Sequence, residues 1–509
     1  MRMTNKIMQN NSLYNINNNK VLMDKLSTMQ STQKKITRPS DDPVVAIRAL
    51  RLRTSVSELT QYYSKNAPDA ESWLKITEGA LSNGVKVLED LGKQAVKGAN
   101  KDLGVDSLAI IVEQMKKLRD EYYSTGNEDY AGRYVFTGYR TDTSLSFTKE
   151  VESGNPSYSY DITESVTMDD FDTVNYTDAT ALDGLTKSNY ASYLGTTEQD
   201  ISNADIHRIR LSYDNLADGA PTIAYGDDGT GQPNTLTAVA MSADDAYKAV
   251  KDGTEDVVFV PETGEILFSD KAYADLNQAV QAGDKVDITY TKDEWKNGDL
   301  RPEHYFKCEA TVTKDGVAGN PIKYNYDADV DSQIIEYDVG YNQTIRVNTL
   351  ATEAFTHDLD RDIDDLVRAL DTLTQLNTTM EDLEVLKKNT LETDPNYNAI
   401  VKEYEAVKKA YDYNRENIHT LFEHADTSFQ RYMDKTNVAV TDNGTRGSQL
   451  DLVSNRLMDQ KTTFETLQSE NEDVDIAEVI IQLTSANLTY NSALMATSKI
   501  MQNSLMNYI

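Results

Sequence analysis

Large apolar side chains recur at alternating steps of three and four residues at both ends of this chain. Met3, Ile7, Tyr14 and Val21, with Asn10 and Asn17 interposed, keep that step in the opening segment. Ile476, Ile480, Leu483, Tyr490, Leu494 and Met501, with Asn487 and Thr497 between them, keep it in the closing one. Such a step collects its residues on one stripe of a helix, so each end predicts a helix with a seam made for a partner. The two ends are expected to pair as a coiled coil whose buried asparagines set register; two ordinary amphipathic helices within one globule are the plainer alternative. Val479, Ile481, Leu488, Met495, Ile500 and Met506 lie off the closing seam, and one opposing helix covers only one stripe. They predict neighbours on several sides, namely other copies of the chain. Gln482, Thr484, Ser485, Asn487, Asn491 and Ser492 interrupt any apolar run of about 20 residues, which excludes a membrane span.

Between the ends the period changes twice. Ser40-Asp41-Asp42-Pro43 has the character of a helix start, with a Ser or Asp to accept from free amides and Pro43 for the first turn, while Pro39 makes a corner before it. Val44, Ile47, Leu50, Val56 and Leu59 are expected to form the core face of this helix. A break near Ala67, a loop over 98–104, a helix over 107–123 with Leu108, Ile111, Met115 and Leu118 inward, and a strand over 134–136 follow. From about 143 to 340 the chain alternates or runs apolar in short stretches, at 157–162, 256–260, 286–290 and 310–313, with turns at Gly229, Gly264, Gly283 and Gly316. A short helix is expected over 242–250. A strand over 343–348 leads back to helices, one begun by Leu359, Ile363, Leu366 and Leu370, others over 397–432 and 448–469. The expected fold is α+β and multidomain: a long α-helical hairpin rod formed by both chain ends, with a central β-rich insertion over 144–344 of one or two domains.

Charge narrows the range of functions. The 509 residues carry 50 basic and 83 acidic side chains, a net charge of −33, which repels nucleic acid. The first 40 residues depart from this, with Arg2, Lys6, Lys20, Lys25, Lys34, Lys35 and Arg38 against Asp24 alone, as suits an acidic neighbour, recognition by export machinery or a solvated helix face. The single cysteine, Cys308, excludes an intrachain disulfide and a cysteine-based zinc site. No compact apolar run follows the basic start, so no cleavable signal peptide is expected. His207, His304, His357, His419 and His424 are scattered and are expected at the surface. Asp358, Asp360 and Asp362, like Asp327, Asp329 and Asp331, lack the glycine and glutamate that would close a calcium loop; helix-start charge and solvated turns account for them. Gly229-Thr230-Gly231 lacks the lysine of a phosphate loop. No catalytic, cofactor or metal residue is assigned, and a hydrolase in the insertion is the weakest of the alternatives.

Thr37-Arg38-Pro39-Ser40-Asp41-Asp42-Pro43, Thr77-Glu78-Gly79-Ala80-Leu81 and the closing segment 476–509 together resemble the flagellin superfamily. Pro39-Ser40-Asp41-Asp42-Pro43 and Gly132-Arg133-Tyr134-Val135-Phe136-Thr137-Gly138-Tyr139 resemble, within it, the hook-associated protein 3 family of hook-filament junction proteins. The likeness covers roughly 1–145 and 335–509; the centre and the stretch 381–423 depart from it. The resemblance implies terminal coiled-coil helices over 1–40 and 470–509 lining an inner tube, a rod layer over 41–143 and 345–469, and an insertion facing outward. It implies an adapter ring between hook and filament, with the partners being further copies, the first junction protein, flagellin and a cytoplasmic export chaperone. It also implies type III export to the flagellum without a cleaved signal. The assembly seam would be Ile7, Tyr14, Val21, Ile480, Leu483, Tyr490, Leu494 and Met501, and the helix-start corner Pro39 to Pro43. A divergent flagellin and a surface adhesin acting through the insertion are the other readings.

Overall fold

Helices occupy both ends of the chain and strands its centre. The computed structural model describes residues 5–149, 151–154, 156–167, 170–182, 185, 189, 201–226, 233–313, 322–326 and 329–506, apart from the side chains of residues 5, 244 and 500–506. In chain order, α1 (Asn5–Thr32), α2 (Pro43–Gln61), α3 (Ala67–Gly98) and α4 (Val105–Thr125) come first. Next stand β1 (Asp129–Tyr130), β2 (Arg133–Tyr134), β3 (Ser157–Val166), β4 (Phe171–Asp178), β5 (Ser202–Arg210), β6 (Thr222–Tyr225), β7 (Asn234–Thr237) and β8 (Val239–Ala240). Then follow α5 (Ala243–Lys251), β9 (Val257–Val260), β10 (Glu265–Phe268), α6 (Asp270–Gln281), β11 (Val286–Lys292), β12 (Lys307–Thr313) and β13 (Ile322–Tyr326). The chain returns through β14 (Glu336–Gly340), β15 (Gln343–Arg346), α7 (Ala351–Ala354), α8 (Asp358–Asn389), α9 (Tyr397–Glu472) and α10 (Ile476–Met506). This is an α+β chain with a β-rich centre.

Two compact units divide it. The first comprises 1–71, 337–345 and 448–509; the second comprises 72–336 and 346–447. In the first unit α1 packs along α10, and most of the β14–β15 hairpin is tied in by Asn66 Nδ2 donating to Asp338 O at 2.7 Å and by Tyr337 bonding Asp69.

The second unit builds its lobe from two sheets. One has strand order β4-β5-β10-β9-β8, the other β13-β12-β3-β11-β6-β7. Val257 and Phe259 of β9 join the core between the sheets, while Val258 and Val260 pack with Ala246 and Val250 of α5 on the other face. Burial on both faces is why this strand appears in the sequence as an unbroken apolar run. In β11, by contrast, Val286, Ile288 and Tyr290 enter the core and Asp287, Thr289 and Thr291 face out, each bonded across to Ser165, Thr163 or Asp161 of β3.

Several local expectations are corrected. No break occurs near Ala67: a π turn over Tyr62–Asn66, closed by Ala67 N donating to Tyr62 O, carries the helix past Pro68, which has no amide to give. On α2 the buried side chains are Ala46 and Ala49, and Val44, Ile47 and Leu50 are exposed. α9 runs unbroken through Asn443 to Gly447, where Asn443 Nδ2 donates to Leu74 O and Arg446 to Asn348 O at 2.9 and 2.8 Å. Strand β2 stops at Tyr134, since Val135 and Phe136 leave the ladder to enter the core; β15 stops at Arg346, and α6 was not anticipated.

The acidic start of α8 is not merely solvated. Asp360 accepts from Arg119 at 2.7 Å, and Asp362 from Arg210 at 2.7 Å and from Tyr432 at 2.8 Å. His304, His357 and His419 are buried rather than exposed, because a neutral imidazole can pair inside with Ser144 O, the Tyr213 hydroxyl and Gly98 O. Burial accordingly lowers His304 to about 4 and His357 to about 3. Met3, Asp327, Gly229-Thr230-Gly231 and the turn at Gly316 lie outside the described residues, as do the side chains of Ile500, Met501 and Met506. Among the described residues no three His, Cys, Asp or Glu are grouped to hold a metal, and no helix is long and apolar enough to cross a membrane.

Candidate assembly surface

Two chain reversals lie side by side in the first unit. One joins α1 to α2, the other α9 to α10. They are zipped by Lys35 N donating to Glu472 O at 2.7 Å and Val474 N donating to Gln33 O at 3.1 Å. Each following helix is capped by aspartate. Asp42 accepts from the amides of Val44 and Val45 at 3.0 and 3.1 Å with Pro43 as the first helical residue, and Asp475 accepts from Ala477 and Glu478. Asp41 accepts from the amides of Thr37 and Arg38, and the Arg38 amide bond chiefly holds its carboxyl below the usual range. Pro39 and Ser40 are exposed in the turn between them.

A charged clamp crosses the pair. Both oxygens of Glu472, only 2% exposed, accept from Arg53, at 2.7 and 2.6 Å, while Lys34 reaches Asp473 at 2.5 Å. Neither contact was foreseen, since no local pattern connects positions 34 and 53 with 472 and 473.

Beyond the corner, α1 and α10 meet through Leu26, Val479 and Ala486, with Met23, Met29 and Leu483 against them; Ile16 is buried higher on α1. Asn19 Nδ2 donates to Ala486 O at 3.3 Å, a close backbone approach that the small alanine permits. The seam residues proposed from the sequence are not gathered here as a set. Leu483 and Tyr490 are half-buried, whereas Ile7, Ile480 and Leu494 are exposed, and Tyr14 and Val21 are 66% and 70% exposed. Met501 lies in α10, with its side chain undescribed. On α1 the stripe through Tyr14 and Val21 is offset by two residues, roughly 200°, from the one through Ile16 and Met23. α10 shows the same division: Ile481, Leu488 and Met495, seven residues apart, are 68%, 69% and 71% exposed. Each helix therefore has one apolar stripe facing its partner and another facing away. Heptad spacing was the signal that could have found the inner stripe, but there it runs through Ser12, Asn19, Ala486 and Ala493, which carry little apolar weight.

Charge is divided just as unevenly. The first unit holds 14 basic and 15 acidic residues, the second 36 and 68. Copies brought together through the first unit would meet little net repulsion there.

The family model of the bacterial flagellin N-terminal helical region matches residues 3–141. Flagellar hook-associated protein 3 of Salmonella typhimurium is 29% identical over 143 residues, and that of Escherichia coli 28% over 144; each alignment takes in 28% of this chain and 45% of the relative. The chain thus matches somewhat under half the length of these curated relatives. A solved flagellar hook-associated protein 3 from Legionella pneumophila aligns with 82% of this chain and 97% of its own, at 10% identity and a TM-score of 0.29, an overlap that adds nothing to the segment match. Residues 3–141, which span α1 to α4 and the capped corner, are thus similar to the N-terminal helical region of bacterial flagellins.

Proposed function

We propose that this chain is a structural subunit of the bacterial flagellum, acting as a hook-associated protein 3 that joins hook to filament. The observation that carries the reading is the second apolar stripe on both α1 and α10, of which α1 lies in the segment that matches the flagellin N-terminal region. A helix pair with apolar residues facing outward needs further neighbours, and identical copies in a ring supply them with the same surface repeated. In this reading residues 1–40 and 470–509 line the inner tube, 41–143 and 345–469 form the rod layer, and 144–344 face outward. The ring sits on the first junction protein and offers flagellin its starting surface. Export through the flagellar type III route, with a cytoplasmic chaperone over the C-terminal helix, belongs to the same proposal.

Copy number tests it directly. In purified flagella the chain should be a minor band at the hook-proximal end; a dominant band would make it the filament subunit instead. Leu494→Asp should leave the purified monomer's melting unchanged, because this side chain is exposed there, yet give cells with hooks, no filaments and flagellin shed into the medium, since a carboxylate buried in every interface costs several kcal/mol per copy. Normal swimming of that strain would remove the packed-helix basis of the proposal.

A further inference from the structure

Lys292, the last residue of β11, has no exposed side-chain surface. Its Nζ donates to the backbone oxygen of Asp214 at 2.5 Å, but its nearest carboxylate oxygens, Asp214 Oδ1 and Asp299 Oδ2, stand at 3.6 and 4.0 Å. Those distances are ion-pair distances that exceed a hydrogen bond, so the fully buried ammonium faces two carboxylates without bonding closely to either. Instead the rings of Trp295 and Tyr213 flank it, with centroids 5.1 and 5.8 Å away. Asp214 is engaged from the solvent side by Lys296 at 2.8 Å and by Asn215 at 2.6 Å, and Asp299 accepts the Lys296 amide at 2.9 Å. Burial lowers the Lys292 pKa and raises that of Asp299 to about 6, both of which ease proton transfer from the ammonium to Asp299, while against its own burial Lys292 and Lys296 hold Asp214 below the usual carboxylate range.

The loop carrying Asp214 is fixed on both sides. Leu211, Asn215 and Leu216 donate to Gly264, Glu262 and Pro261 at 2.8, 3.1 and 2.9 Å, and Ala217 donates to Thr291 at 3.0 Å. Gly264 has φ +63°, and a Cβ there would lie 1.9 Å from Tyr213 O, so the loop can press against this turn only because it is glycine. Amine, carboxyl and proton carrier are thus held by separate elements beside the rings of Trp295 and Tyr213.

We propose that the folded lobe joins Lys292 to Asp214 by an intramolecular amide, with Asp299 as the proton carrier. Lys292 gives a proton to Asp299, and the freed amine lone pair attacks Cγ of Asp214 to form the Nζ–Cγ bond. Asp299 delivers its proton to one Asp214 oxygen, then relays a second proton from the attacking nitrogen to the same oxygen. That oxygen leaves as water when its bond to Cγ breaks, and Asp299 ends as it began. One ammonium and one carboxylate become an amide and water, with no change of oxidation state. The product removes the poorly paired buried charge and braces the end of β11 to the β5–β6 loop.

Intact mass spectrometry of the folded full-length protein reads this directly. The wild-type chain should be lighter than its sequence by one water, and digestion should give a branched peptide joining Asp214 and Lys292. Lys292→Arg keeps the charge but cannot form the bond, and should restore the full sequence mass; Asp299→Asn should accumulate the uncrosslinked mass while circular dichroism shows the lobe still folded. A wild-type protein at its full sequence mass, or a water loss that persists in Lys292→Arg, overturns the proposal.

Discussion

Glu472 holds the corner of the first unit by giving both oxygens to one arginine and staying within 3.5 Å of Lys34. The hydrogen bonds from Arg53, more than the charge of Lys34, keep its carboxyl below the ordinary range. A carboxyl depressed by folding contributes stability that is fully present above its unfolded pKa and is lost as pH falls through the folded one. Glu472→Gln keeps the shape and removes the charge, and hydrogen bonds to charged groups carry about 1.5–3 kcal/mol; the value here falls toward the lower end because Arg53 is half exposed and screened by water. The amides of Lys35 and Val474 report the effect, since they bridge the two reversals. Hydrogen exchange at both should quicken in the variant at neutral pH, and in the wild type only on acidification into the carboxylate range. Unchanged protection in the variant would mean that the backbone bridge and the aspartate caps hold the corner alone.

At the scale of the element, β3 turns an acidic residue into its core. Tyr160, Ile162, Glu164 and Val166 share the inward face, and Glu164 is met there by Tyr290 and by the amide of Ser212 at 3.1 Å. Burial outweighs these bonds and pushes its pKa up to about 7; Asp364, raised to about 6, follows the same sign. A carboxyl raised by folding favours the fold below its unfolded pKa, and the benefit is lost as pH rises through the folded value, so the lobe should melt higher at pH 5 than at pH 8. For Glu164 alone the span is about 3 kcal/mol as an upper bound. Glu164→Gln, neutral throughout, should shrink the difference between the two melting temperatures; an identical pH dependence in both proteins would assign the effect elsewhere. Alternation along β3 and β11 was legible in the sequence because one face of each of these two strands is wetter than the other, but the acidic residue on the dry face of β3 gave no sign of itself. The end helices were legible as helices for the same reason, while the face each turns to its partner was not. Ala486 and Asn19 mark the inner stripe of the pair, and larger residues such as Val21 and Leu488 lie outside it. A stripe kept for another copy carries the same apolar pattern as a core. The unbroken α9 was hidden by Gly444 and Gly447, whose helical conformation depends on contacts far away in sequence, those of Asn443 and Arg446.

Across the whole chain, charge is divided between a nearly neutral helical unit and a strongly acidic β-rich one. The first unit is nearly neutral, whereas residues 150–335 alone hold 36 acidic and 13 basic side chains. When copies associate through the first unit, each brings a strongly acidic second unit with it, and the resulting repulsion is screened over about 10 Å at 0.1 M salt and about 3 Å at 1 M. Self-association of the purified chain, followed by sedimentation, should therefore strengthen as salt rises from 0.05 to about 0.5 M. Apolar stripes alone would give a weaker dependence, so the lobe must be shown to be the cause. Replacing 150–335 with a short Gly/Ser linker removes most of the acidic excess while leaving α1, α2 and α10 intact, and β14 and β15 remain to close the first unit. The deletion protein should associate at low salt with little further gain, and on the proposed function it should still be exported and support filament growth. A deletion protein that is folded and exported but retains the steep salt dependence would place the repulsion in the remaining helices. One that associates normally yet fails to start filaments would show that the lobe itself takes part in the junction.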